Sequence, residues 1–236
     1  MTTAMKSRGS VLKAAVVAGL IAGGAAAGFH FLFTEPVIER AIETEEQLAQ
    51  ARGEAAKVPL VDRRTQRWGL VLGLLLYGAM WGLLFGLAFR VMEQRLPPWS
   101  PVKRGFLLAL LAGWSVAIFP FVKYPANPPG VGEPETIWYR QALYIGLIGL
   151  TVAGTALAGW LWARSQRAAA VLLYVGFLTA AFLAMPSNPD PIRMPAKLVW
   201  TFRGLSLAGL VLFWGVLGMA FGWLTRERLR RRETWR

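Results

Sequence analysis

Residues 68–89 read WGLVLGLLLYGAMWGLLFGLAF, twenty-two positions without a single charged side chain. As an α-helix rising 1.5 Å per residue, such a stretch is about 33 Å long, enough to cross the hydrocarbon core of a bilayer. Its apolar residues do not alternate with polar ones at a spacing of two, as those of a barrel strand would. Inside lipid every backbone N–H and C=O must find its partner within the segment, so the stretch reads as a transmembrane helix.

Working outward, five further apolar runs of similar kind occupy 14–33, 105–122, 142–163, 168–185 and 200–224. The fold class expected is therefore all-α: a polytopic helical bundle of about six spans forming a single membrane domain over 1–236. The runs at 105–122 and 168–185 are the shortest, and Pro120 interrupts the first of them, so five spans plus a re-entrant segment is the alternative. Lys6, Arg8 and Lys13 ahead of an apolar run, with Ala25-Ala26-Ala27 after it, outline a secretion signal. The apolar run continues past that point through Phe29, Phe31, Leu32 and Phe33, so it is read as the first span. Trp68, Trp81, Trp99, Trp138, Trp160, Trp162, Trp200, Trp214 and Trp223 mostly lie near span ends, as an interfacial belt requires.

The chain carries 26 Lys+Arg against 13 Asp+Glu, a net charge of +13, with one His and no Cys. A hydrophobic fraction of 55% excludes disorder, and the missing cysteines exclude a disulfide-stapled domain or a Cys-ligated zinc module. So large an excess of positive charge ordinarily points to nucleic acid. Its distribution says otherwise. The N-terminus, 90–104, 164–167 and the tail together hold fifteen basic and three acidic residues; 34–67, 123–141 and 186–199 hold ten of each. By the positive-inside rule this is a topology signal that puts both termini in the cytoplasm and implies no nucleic-acid partner. Ten of the thirteen acids fall on the outer side.

Gly78, Gly82 and Gly86 repeat at a spacing of four in the second span; Gly19/Gly23 and Gly24/Gly28 do so in the first, and Gly218/Gly222 in the last. Small residues at that spacing let helix backbones approach closely. They are read as packing within the chain rather than as a dimer interface. No phosphate-binding glycine loop, GxSxG or HExxH occurs. His30 with a serine such as Ser115 is a poor basis for an intramembrane peptidase, and no enzyme activity is expected.

The outer segment FTEPVIERAIETEEQLAQ (33–50) reads as a second, amphipathic helix over about 35–52, with Thr34 as its cap and Glu35 and Pro36 in its first turn. Glu35, Glu39, Glu43 and Glu46 fall on one face, Ile38, Ala41, Ile42 and Ala49 on the other. A carboxylate stripe beside a membrane mouth attracts cations, and carboxylates ligate divalent metals; a solvated helix face is the plainer reading. His30, the lone imidazole, lies just inside the outer interface, where a polar residue is a functional candidate. In a continuous α-helix Glu35 sits about 140° around the axis from it. A joint site then needs a break near Pro36 or a ligand from another helix. One His and no Cys cannot alone build a tight cobalt, nickel or zinc cage. Arg203, near the mouth of the last span, reads either as a snorkelling arginine or as the partner of an outer acid such as Glu133, Glu135 or Asp190.

Three stretches carry a more specific pattern: AGFHFLFTEPVIERAIETE, FPFVKYPANPPGVGEPETIWYRQALY and PAKLVWTFRGLSLAGLVLFW. The chain resembles the CbtA family of bacterial membrane proteins, predicted cobalt transporter subunits. By match, His30, Glu35, Pro36, Arg40 and Glu45 carry over from the first motif. Tyr124, Pro125, Asn127, Pro128, Pro129, Glu133, Arg140 and Tyr144 come from the second, and Trp200, Phe202 and Arg203 from the third. The resemblance implies cobalt uptake through a bacterial inner membrane, with a small single-span, histidine-rich subunit (CbtB-like) supplying ligands this chain lacks. His30, Glu35, Glu39 and Glu43 are then the expected metal-contacting residues, with cobalt or another divalent cation as transported substrate and no tightly bound cofactor. A non-transporting scaffold or assembly subunit, or a carrier for another solute, are the alternatives.

Overall fold

The computed structural model describes the backbone of residues 2–53 and 61–233, and the side chains of 11–53 and 61–226. The side chains of Lys6, Arg8 and the arginine-rich tail from 227 on, all part of the charge balance, lie outside the described ones. The protein is 83% helical, and no strand forms among the described residues. The helices are α1 (Thr2–Phe29), α2 (Glu35–Ala51), α3 (Arg63–Met92), α4 (Pro101–Gly113), α5 (Phe119–Lys123), α6 (Ile137–Ala163), α7 (Arg167–Ala184) and α8 (Ala196–Glu233). Six helical stretches are long and apolar enough to cross a membrane: Val11–Ala51, Arg63–Met92, Pro101–Lys123, Pro134–Ala163, Arg167–Ala184 and Ala196–Arg226.

Two of these stretches are interrupted by a π turn. A π turn, His30–Thr34, joins α1 to α2, and another, Trp114–Ile118, joins α4 to α5. Each ends two residues before a proline, Pro36 and Pro120 respectively. Proline lacks an N–H, and its ring clashes with the carbonyl four residues back; a turn that closes five residues apart shifts the ladder and accommodates it. The expected break at Thr34 is therefore corrected. Thr34 keeps helical angles (φ −89°, ψ −35°) and makes no side-chain cap bond, so the helix runs on through the π turn instead of stopping and restarting. By contrast α3 starts conventionally, with Asp62 in extended conformation accepting from the Thr65 N–H at 2.6 Å.

The chain groups into two compact units. The first comprises 1–33, 59–112 and 208–236. In it α1 and α3 touch backbone to backbone. A β-carbon on Gly19 would collide with the Gly78 carbonyl and lie 2.8 Å from Gly82 Cα; one on Gly82 would run into the Ala15 carbonyl, and one on Gly86 would stand 2.6 Å from the Ala15 methyl. Ala15, Ala18 and Ala22 complete the buried stripe of α1. A β-carbon on Gly24 would meet only the Leu75 side chain, at 3.9 Å, and one on Gly28 would have nothing within 4 Å. A second close approach joins Gly105 of α4 to Gly218 and Gly222 of α8. Between α3 and α8 the contacts are aromatic: Tyr77–Phe213, Trp81–Trp214 and Phe89–Phe221, at 5.2, 5.3 and 4.7 Å.

The second unit comprises 34–58 and 113–207. Its core is Phe119, Leu147, Leu178 and Ala181, ringed by Trp114, Tyr174, Phe182 and Met185. A short hydroxyl chain crosses it. Thr155 Oγ1 lies 2.8 Å from Ser115 Oγ and 2.8 Å from the Tyr174 hydroxyl, and its own proton can go to the Thr151 carbonyl at 2.8 Å. Ser115 and Tyr174 then both donate to Thr155, which ties the π turn, α6 and α7 together in an otherwise apolar region.

Candidate functional site

One end of the second unit is a polar cap, built from the proline-rich loop 124–136, the segment 186–195, α2 and the start of α8. Pro125, Pro128, Pro129 and Pro134 fix much of the loop's backbone and remove donors that would otherwise need partners; Pro128 is fully buried. The loop turns where glycine alone is comfortable, at Gly130 (φ 78°) and Gly132 (φ 110°). Both glycines also make room. A β-carbon on Gly130 would meet the Met194 methyl and lie 3.1 Å from Glu45 Cβ, and one on Gly132 would sit 2.9 Å from the Arg140 guanidinium carbon.

Asp190 is the hub. Its side chain is 1% exposed, and Arg140 Nε lies 2.9 Å from Oδ2. That N–H does not point along the line to the oxygen, so the contact is charge pairing rather than a straight hydrogen bond. Thr136 Oγ1 donates to Oδ1 at 2.7 Å and the Glu133 N–H to Oδ2 at 3.3 Å, while Arg140 Nη2 donates to the Glu133 carbonyl at 3.1 Å. The Asp190 N–H is itself held by Asn188 Oδ1 at 3.1 Å. A desolvated carboxylate is tolerable only with such a set of donors. Two further bonds close the cap: the Tyr124 hydroxyl donates to the Pro186 carbonyl at 2.6 Å, and Arg203 Nη2 donates to Asn127 Oδ1 at 2.8 Å. Arg193 and Glu133 pair at 3.6 Å in solvent, a contact worth little.

Of the outer acids offered as partners for Arg203, Asp190 is taken by Arg140. Arg203 bonds the Asn127 amide and lies 5.2 Å over the Trp200 ring. Asp190 is the important residue that the motifs did not single out; nothing in MPSNPDP marks it beyond being an acid between prolines. Trp200 is exposed, whereas Phe202 and Tyr144 are half-buried.

The expected metal-contacting residues are distributed as follows. His30 is half-buried in the first unit, edge-on to Phe29 at 5.5 Å, with its ring where a β-carbon of Gly209 would go. Glu35, Glu39 and Glu43 lie in the second unit and grade in exposure. Glu35 is 5% exposed, Glu39 half-buried and Glu43 open to solvent. Val37 and Ala41 are the buried apolar side of α2, and Arg40 is exposed. Among the described residues no group of three or more His, Cys, Asp or Glu is gathered closely enough to hold a metal ion.

The family model described as "Probable cobalt transporter subunit (CbtA)" matches residues 9–226 of the 236. No curated protein and no solved structure matches the chain.

Proposed function

The chain belongs to the CbtA family, and from that premise we propose that it is the membrane subunit of a divalent-cation uptake transporter whose substrate is cobalt. The observation that carries this reading is the family match over nearly the whole chain, joined to six apolar helices that make it a multi-pass membrane protein. In this reading the protein lies in a bacterial inner membrane with both termini cytoplasmic, which puts α2 and the polar cap outside. The exposed Glu43 and half-buried Glu39 draw the cation to the membrane surface. Glu35 and His30 come next in the sequence, a carboxylate and an imidazole, each a donor type suited to a borderline cation such as Co²⁺.

Two protein donors hold a divalent ion weakly, as a transporter that must release its cargo requires. Additional ligands come from a partner, a single-span histidine-rich subunit of the CbtB kind; the family description as a subunit supports the existence of partners. The Asp190 knot keeps the cap rigid so that the acidic face of α2 is presented in one geometry. The test is cobalt accumulation by cells lacking their own uptake route and expressing the chain with and without the partner. Accumulation above the empty-vector level with both proteins supports transport. No accumulation in either case points to a scaffold, and equal accumulation of an unrelated solute to a different carrier.

A further inference from the structure

The turn between α6 and α7 carries a feature that cation uptake does not use. Arg164 lies 4.1 Å over the Trp160 ring and Arg167 5.6 Å over the Trp162 ring. All four side chains are exposed, the two indoles at 50% and 53%. No residue from 137 to 189 is acidic, and neither guanidinium makes an ion pair among the described residues. The turn itself is held firmly. Ser165 adopts a left-handed backbone (φ 63°), its N–H bonds the Trp162 carbonyl at 3.1 Å, and the Gln166 N–H bonds the Leu161 carbonyl at 3.2 Å.

We infer that this turn binds the phosphodiester headgroup of an anionic phospholipid, with Arg164 and Arg167 as the charge donors and Trp160 and Trp162 as the interfacial anchors. The planar guanidinium matches a phosphate in two-point hydrogen bonding. An indole beneath it keeps the arginine out of loose solvent without neutralising it, and indoles sit at headgroup depth by preference. Charge decides between lipids: a zwitterionic headgroup brings its own cation, whereas an anionic one leaves two arginines with net negative charge to meet.

The full-length protein in nanodiscs of equal phosphatidylglycerol and phosphatidylcholine, released into native mass spectrometry, tests this. The wild type retains phosphatidylglycerol in excess. Arg164→Gln lowers that excess about fivefold, and the Arg164→Gln/Arg167→Gln pair about thirtyfold, the equivalent of roughly 1 kcal/mol per arginine. Arg193→Gln, at an exposed arginine paired with Glu133, leaves the ratio within twofold. An unchanged excess in the double variant, or equal retention of the two lipids by the wild type, overturns the assignment. So does displacement of the lipid by inorganic phosphate, which marks a site for free anions instead.

Discussion

The imidazole of His30 occupies the space that a β-carbon on Gly209 would need, with Nε2 and Cε1 the nearest atoms. The one titratable nitrogen heterocycle of the chain is thus seated against bare α8 backbone, and the seat exists only while residue 209 has no side chain.

Gly209→Ala is expected to push the imidazole out of place while leaving the histidine in the sequence. If His30 serves the cation, uptake in Gly209→Ala falls as it does in His30→Ala. Overpacking of this kind costs about 1–3 kcal/mol. That cost should vanish when Gly209→Ala is made on a His30→Ala background. Thermal unfolding of the four proteins of the cycle measures the coupling, and additive shifts would show that the two residues do not compete for the space.

Neutralising Asp190 is expected to cost more than any other single change in the cap. Asp190→Asn leaves Arg140 charged and half-buried without its counter-ion, and breaking a buried pair from one side costs about 3–5 kcal/mol. Replacing both by apolar residues of similar size, Arg140→Met with Asp190→Leu, should recover only part of that loss, because the Thr136 hydroxyl and the Glu133 N–H still lose their acceptor. Thermal unfolding in detergent reads both outcomes.

Glycines that look equivalent in the sequence separate by what they face. Gly78→Val drives a branched side chain into the Gly19 carbonyl and should prevent the α1–α3 contact from forming. Gly28→Ala meets nothing within 4 Å and should be neutral or slightly stabilising. Yield of monodisperse protein and melting temperature distinguish the two.

Acid should loosen the start of α3. The Asp62 carboxyl is held below its ordinary value first by the Thr65 backbone N–H, then by the Thr65 hydroxyl. A depressed folded-state pKa means that the cap's contribution is fully present above the unfolded value and is lost as pH falls through the folded one. Protection from hydrogen exchange at the first turn of α3, taken relative to the intrinsic rate at each pH, should therefore fall below about pH 4 in the wild type. In Asp62→Asn, which caps without titrating, the protection should lack that pH step.

The apolar runs are legible because span length is a property of consecutive residues: each of the six shows in composition alone, and the structure extends most of them by a turn or two. The π turns are not legible that way. Pro36 and Pro120 announce a perturbed helix, yet a cap at Thr34 and a widened turn through it satisfy the same local rules, and only packing of the helix beyond chooses between them. The motif residues Asn127, Glu133, Arg140 and Arg203 do gather in one cap. Their pairing could not be read, because whether Asp190 faces Arg140 or Arg203 depends on how the 124–136 loop turns at two glycines. The grading of Glu35, Glu39 and Glu43 from buried to exposed was hidden for a similar reason. Helical periodicity puts them on one face but not at one depth.

The most direct test of cation uptake through this protein is radiocobalt accumulation in vesicles holding the chain and its partner, compared across wild type, His30→Ala, Glu35→Gln and the double variant. Loss of either side chain is expected to lower uptake about tenfold or more at limiting cobalt, with the double variant at the level of empty vesicles. Uptake by the double variant equal to that of the wild type would contradict the account.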